Sequence, residues 1–186
     1  IMCPGGPKSY FGNVPQSYTG YEPATRRAIR NEYNPYLQVI NRLEQYFLLN
    51  QYPSKTELII MGGTFLSYPR KYQEWFISQC YKAMNDFSKL SYIQFVELFN
   101  LSPEKNLSEE NDIIIKAKLL KLIKTIDLKE QQKINEKSKI RCVALVVETR
   151  HDQCSLKQIK FMNKLGVTRV ELGVQSIYPE VLKKLK

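Results

Sequence analysis

Glu57-Leu58-Ile59-Ile60-Met61-Gly62-Gly63-Thr64 is the stretch that decides the fold. Four consecutive apolar residues running into two glycines read as a buried strand that ends in a tight loop. Pro69 then opens a helix, where a proline costs no hydrogen bond. Tyr72, Trp75, Phe76, Cys80, Ala83 and Phe87 fall on one face of it. The unit returns further on. Cys142-Val143-Ala144-Leu145-Val146-Val147 is a second buried strand, ending in Glu148-Thr149-Arg150. Ser155 is placed to cap a helix carrying Leu156, Ile159, Met162 and Leu165, and Gly166 to end it. Arg169 to Val174 is a third strand, and Pro179 opens a last helix.

Strands alternating with helices predict an α/β fold, a parallel sheet covered by helices. Chemistry in such folds gathers at the carboxyl ends of the strands. Those ends are Gly62-Gly63-Thr64, Glu148-Thr149-Arg150 and Gln175-Ser176, expected side by side on one rim. Three parallel strands close no barrel, so the expectation is part of a larger (β/α) assembly.

Outward from this frame, residues 1–21 are loop-like, with four Gly and three Pro. A helix starts at Pro23 and carries Arg26, Arg27 and Arg30; Pro35 restarts it, and Tyr36, Val39, Ile40, Leu43 and Phe47 follow the helical period. Between Glu104 and Lys139 lie nine Lys and seven Asp or Glu, which reads as a charge-rich, largely solvated helical insertion. The expected organisation is 1–87, an insertion over 88–139, and 140–186.

The 186 residues include 28 Lys+Arg against 18 Asp+Glu, a net charge of +10. Such an excess favours a polyanionic partner, nucleic acid before anionic membrane; the plain alternative is a Lys-rich surface with no partner. No apolar run approaches the roughly 18 residues of a membrane span, and the first residues lack the regions of a signal peptide. Four widely spaced cysteines make no disulfide framework and point to a reducing compartment.

Three features carry chemistry. Cys3-Pro4-Gly5-Gly6-Pro7 is either a plain turn with a free thiol or a loop small enough to approach an inorganic cluster. Gly62-Gly63 is either an ordinary turn or a place where backbone groups touch a ligand. Glu148 and Arg150 are either a surface ion pair or a grip for a zwitterion. His151 and Cys154 have no four-ligand zinc spacing with Cys142. There is no GxSxG, Walker A loop or GxGxxG.

Taken in order, Cys3-Pro-Gly-Gly-Pro, Gln16-Ser-Tyr-Thr-Gly-Tyr-Glu-Pro23, Arg27-Ala-Ile-Arg30, Tyr33-Asn-Pro-Tyr36, Met61-Gly-Gly-Thr-Phe65, Glu148-Thr-Arg150 and Glu171-Leu-Gly-Val-Gln-Ser176 strongly resemble the radical S-adenosylmethionine (SAM) domain of the Elongator catalytic subunit family, which modifies the wobble uridine of tRNA. The resemblance covers nearly everything but residues 88–139. It implies a partial TIM-like radical SAM barrel with a helical insertion. It implies a 4Fe–4S cluster held by three cysteines, of which Cys3 matches the last and the other two would precede residue 1. Three thiolates leave one iron open to SAM, whose reductive cleavage gives a 5′-deoxyadenosyl radical. Gly62, Gly63, Thr64, Glu148, Arg150, Gln175 and Ser176 match SAM-facing positions, and Lys55 matches a lysine associated with acetyl-CoA.

In the family, the radical takes hydrogen from the acetyl group of acetyl-CoA, and the carbon radical adds to uridine, giving 5-carboxymethyluridine. An acetyltransferase-like domain of the family has no counterpart in this sequence, so the chain alone is expected to be inactive. The implied partners are tRNA, acetyl-CoA and other Elongator subunits, in the cytoplasm and, in a eukaryote, also the nucleus. Arg27 and Arg30 are candidates for phosphate contact, and Tyr18 and Tyr21 for stacking on unpaired bases. The family's Glu-Thr-Arg is usually followed by Pro-Asp-Tyr-Cys; here His151-Asp152-Gln153-Cys154 follows. Two other readings stand beside this one. One is a different radical SAM enzyme, such as a methylthiotransferase or a coproporphyrinogen-type oxidase, in which the Ser-Tyr-Thr-Gly-Tyr-Glu-Pro block is not expected. The other is an RNA-binding or scaffold remnant without a cluster.

Overall fold

The structure, a computed structural model, describes residues 10, 12, 18–99, 101, 109–123, 126–174 and 176–183. Cys3 and Gln175 lie outside the described residues. The elements run α1 (Pro23–Arg30), α2 (Pro35–Leu48), β1 (Lys55–Ile60), α3 (Arg70–Phe87), α4 (Tyr92–Leu98), α5 (Glu109–Leu120), α6 (Leu128–Asn135), β2 (Arg141–Arg150), α7 (Leu156–Leu165), β3 (Arg169–Gly173) and α8 (Pro179–Lys183).

The three strands form one sheet in the order β1-β2-β3. β2 and β3 are parallel, with Val146 opposite Arg169 and Arg150 opposite Gly173. The alternation of strand and helix along the sequence therefore produces the expected mixed α/β arrangement around a three-stranded sheet. Among the described residues the sheet is open, and no closed barrel is formed.

β1 departs from expectation in two ways. It starts at Lys55 and stops at Ile60, because the Arg141 N–H donates to the Ser54 carbonyl at 3.0 Å and aligns the start of β1 with the start of β2. It is also an edge strand, so its apolar run is not buried on both faces: Ile59 is 40% and Met61 47% exposed. The central strand behaves as the apolar run predicts, with Leu145, Val146 and Val147 fully buried.

The described chain divides into two compact units, each continuous in space but not in sequence. One comprises Ile1–Arg26, Glu57–Gln73 and Ala144–Lys186, and holds the carboxyl ends of the strands. Its core includes Ile60, Phe65, Leu66, Leu145, Val147, Phe161, Met162 and Leu165. α7 is delimited as the sequence predicts: the Ser155 hydroxyl accepts from the Gln158 N–H, and Gly166 ends the helix at φ 84°.

The other unit comprises Arg27–Thr56 and Glu74–Val143. Asn34 caps α2 by accepting from the Leu37 N–H, with Pro35 in the first turn. Phe47, Phe87, Phe95 and Phe99 build an aromatic cluster, with the Phe47 and Phe95 centroids 3.9 Å apart. The 88–139 stretch supplies α4, α5 and α6, so it is helical as expected. It is less solvated than its charge suggests, since Phe95, Phe99, Leu119 and Leu128 are buried. Cys80 is core, 2% exposed, and burial raises its thiol pKa.

A buried amide network holds this unit together. The Asn85 Nδ2 donates to the Gln131 carbonyl and side-chain oxygen at 3.0 and 3.1 Å. The Asn135 Nδ2 donates to the Asn85 Oδ1 at 2.8 Å and to the Ile140 carbonyl at 3.0 Å, while its Oδ1 accepts from the Cys142 N–H at 2.8 Å. One side chain thus ties α6 to α3 and to the first residues of β2.

Candidate functional site

The carboxyl end of β1 runs through Met61 into Gly62 and Gly63, both with positive φ, 103° and 61°. A side chain is disfavoured there by the backbone itself. A Cβ built on Gly63 meets nothing within 4 Å, so the position is open as well as turned. Thr64 follows at the head of a short 3-10 turn, Phe65–Ser67, and its carbonyl accepts from the Ser67 hydroxyl at 2.7 Å.

On β2, Thr149 points away from Glu148 and Arg150 by strand alternation and is buried, while Glu148 is half-buried and Arg150 exposed. Glu148 and Arg150 are not paired with each other. The Arg150 guanidinium forks onto Asp152, Nε to Oδ1 at 3.0 Å and a terminal nitrogen to Oδ2 at 2.9 Å. Desolvation works against ionising the Asp152 carboxyl, but the Arg150 fork outweighs it and its pKa is lowered. Asp152 is therefore the group that holds Arg150.

Glu148 is held instead by Tyr18. The Tyr18 hydroxyl donates to the Glu148 Oε2 at 3.2 Å, and the Tyr18 hydroxyl oxygen in turn receives the backbone N–H of Gly62. Burial first, then the Glu148 charge and the hydrogen bond to it, push the Tyr18 pKa up to about 12; the Gly62 N–H acts in the opposite sense. The phenol is thus a fixed donor at neutral pH, joining the end of β1 to the end of β2.

The loop that delivers Tyr18 is clamped by Glu22. Its carboxylate accepts from the Thr19 N–H at 2.9 Å, the Thr19 hydroxyl at 2.9 Å and the Gly20 N–H at 3.0 Å. These bonds, led by the Thr19 N–H, lower its pKa to about 2. The signal in the sequence is Thr19-x-x-Glu22 directly before a helix-opening proline, a spacing that lets the carboxylate reach back to the Thr19 N–H and hydroxyl.

β3 ends level with β2, and the half-buried Ser176 follows, its hydroxyl accepting from the Tyr178 N–H at 3.1 Å. Arg169 spans the sheet, bridging Glu57 at 2.8 Å and Glu171 at 2.9 Å. The structure therefore brings Gly62, Gly63, Thr64, Glu148, Arg150 and Ser176 to the strand ends of one unit, with Tyr18 among them. Tyr18, read from sequence as a base-stacking candidate, has its hydroxyl engaged at this rim. Tyr21 is 67% exposed, with the Arg26 guanidinium 5.8 Å from its ring centre.

Three other candidates stand elsewhere. Lys55 is the first residue of β1, so the length of that strand separates it from Gly62. Arg30 pairs with Asp112 at 2.8 Å. Arg27 is half-buried, and burial together with the nearby Arg42 lowers its pKa. Among the described residues no cluster of three or more His, Cys, Asp or Glu is arranged to hold a metal ion, and no helix is long and apolar enough to cross a membrane.

No protein-family model matches the chain. Individual proteins do. It is 47% identical over 186 residues to a tRNA uridine(34) acetyltransferase of Methanocaldococcus infernus, covering 100% of this chain and 28% of that protein. It is 37% identical over 183 residues to Elongator complex protein 3 of Schizosaccharomyces pombe, covering 98% of this chain and 27% of the relative. Among solved structures it is similar to archaeal Methanocaldococcus infernus Elp3 with an N-terminal deletion, with a TM-score of 0.62 and 42% identity, over 86% of this chain and 29% of that one. The chain spans little more than a quarter of the length of the curated relatives it matches. Over that span, by sequence along its whole length and by fold, it belongs to the tRNA uridine(34) acetyltransferase and Elongator complex protein 3 family.

Proposed function

We propose that this chain is the radical SAM portion of an enzyme that uses SAM and acetyl-CoA to carboxymethylate the wobble uridine of tRNA. The observation that carries the reading is the junction of Tyr18, Gly62 and Glu148 at the strand ends. It draws three separated family motifs onto one rim, where a zwitterionic ligand has groups to meet.

SAM fits the residues of this rim. Its amine is a donor, and Glu148 has Oε1 free of the Tyr18 bond to accept it. Gly62 and Gly63, both at positive φ, present backbone to a ligand, with open space around Gly63. Arg150, held in plane by Asp152, keeps guanidinium donors for a carboxylate or ribose oxygen. Ser176 follows β3, and both it and Gln175 are assigned to the same ligand from the resemblance. Cys3 is assigned as a cluster ligand on the same basis. With its cluster, bound SAM supplies the radical chemistry that opens an unactivated C–H bond. The part of this chain is to hold SAM by its charged ends and orient it.

The acetyl-CoA contact assigned to Lys55 and the association with other Elongator subunits are proposed from the family alone. The tRNA substrate is supported also by the charge of +10. Location in the cytoplasm, and in the nucleus of a eukaryote, goes with that substrate.

The test is anaerobic iron–sulfur reconstitution of the complete protein. Visible cluster absorbance, SAM cleavage to 5′-deoxyadenosine and acetyl-CoA-dependent modification of tRNA uridine are expected. A protein with its full cysteine set that gives neither cluster nor cleavage would falsify the reading.

A further inference from the structure

The loops that follow β1 and β2 enclose a cleft of about 350 Å³, beside the rim and within the same unit. Ser67, Tyr68, Arg70, Gln73, Ser155 and Lys157 contribute its polar groups, and among the described residues no carboxylate lines it.

The two cations are uncompensated. Neither Arg70 nor Lys157 forms an ion pair among the described residues, and both are exposed. Arg70 is nevertheless ordered, because its guanidinium lies 4.5 Å from the centre of the Phe161 ring. Stacking fixes the plane and leaves the N–H edge for an anion. The Ser155 hydroxyl accepts from the Gln158 N–H, so its own proton is available to donate.

The cleft wall also holds an unsatisfied acceptor. Gln73 is 1% exposed, and its Nε2 donates to the Leu66 and Tyr68 carbonyls at 3.3 and 2.7 Å. Its Oε1 is buried with no hydrogen-bond partner.

The charge continues outside the cleft. Lys157, Lys160 and Lys164 recur three and four residues apart on α7, all exposed, and the helix has no acidic residue. Seven residues of helix span about 10 Å. A row of that length serves successive phosphates of a strand, whereas a lone phosphate group uses one end of it.

We propose that this cleft and its lysine row form a backbone-phosphate subsite for RNA. The proposal rests on the reading of tRNA as substrate, and it assigns to that substrate a docking place beside the SAM rim.

The test uses the complete protein and a labelled tRNA transcript, with binding measured over a series of salt concentrations. Arg70→Gln and Lys157→Gln are expected each to weaken binding about threefold to tenfold. Together they should lower the slope of log affinity against log salt by about 1 to 2. Lys160→Gln with Lys164→Gln should act in the same direction, and melting temperature and acetyl-CoA affinity should stay at wild-type values. Folded variants that keep wild-type tRNA affinity and salt slope overturn the cleft alone. Variants that lose acetyl-CoA binding with tRNA binding intact also overturn it, and assign the cations to the coenzyme. A wild-type protein with no salt-dependent tRNA binding sinks both the cleft and the substrate reading.

Discussion

Tyr18 and Glu148, 130 residues apart in sequence, meet through a 3.2 Å hydrogen bond from the phenol to Oε2. That bond orients one carboxylate oxygen and leaves Oε1 outside it. Tyr18→Phe keeps the ring and removes only the donor. Without that donor the Glu148 carboxylate loses its fixed orientation, so SAM affinity should fall severalfold, read by calorimetric titration, with the fold retained. An unchanged affinity would detach Tyr18 from the site.

The same tyrosine sets an alkaline limit. Its folded pKa is raised from 10.0 to about 12, so its contribution to stability is complete below pH 10 and is lost as pH rises through 12. The stability difference between wild type and Tyr18→Phe should shrink over that interval in urea titrations at stepped pH.

Glu22 behaves in the opposite sense. Its folded pKa is lowered from 4.5 to about 2, so the loop clamp is present above pH 4.5 and is lost as pH falls toward 2. Glu22→Gln should speed hydrogen exchange at the Thr19 and Gly20 amides at neutral pH. The difference from wild type should vanish at the acid end. Equal exchange rates at neutral pH would mean the carboxylate does not hold the loop.

Gly63 has φ 61° and open space around it. Gly63→Ala should therefore lose stability through the backbone alone, by about 1–2 kcal/mol. Gly63→Asn should lose less, because asparagine tolerates the left-handed region. Chemical denaturation of the two variants distinguishes this from a steric requirement, in which the larger side chain would be worse.

Asn135 joins Asn85, Ile140 and Cys142 through buried hydrogen bonds. Asn135→Ala strands the Asn85 side-chain oxygen, the Ile140 carbonyl and the Cys142 N–H, each costing about 1–3 kcal/mol, so a total loss of about 3 kcal/mol or more is expected. By contrast Asp152→Ala removes an exposed pair and should cost less than about 1 kcal/mol. The two midpoints, measured side by side, test whether the amide network or the surface fork holds more of the structure.

Local chemistry was legible from the sequence. Ser155 and Gly166 bracket α7 as read, the apolar run at Val143–Val147 is the central strand, and the glycine pair does terminate β1. These follow from backbone geometry and from periodicity, which neighbouring residues carry among themselves. The amide network was not legible, since Asn85, Gln131 and Asn135 look like solvated residues until α6 packs on α3. The charge count over 104–139 concealed the apolar positions that this packing buries.

What the sequence determined by itself was the order of strands and helices, and through its ordered motifs the family. Both are written in short stretches whose physics is local. Only the tertiary structure decided that Arg150 belongs to Asp152, that Glu148 belongs to Tyr18, and that the segments after β1 and β2 bring together two cations with no ion-pair partner among the described residues. Hydrogen-bond partners separated by a hundred residues are chosen by how sheet and helices pack, and no spacing along the chain encodes that choice.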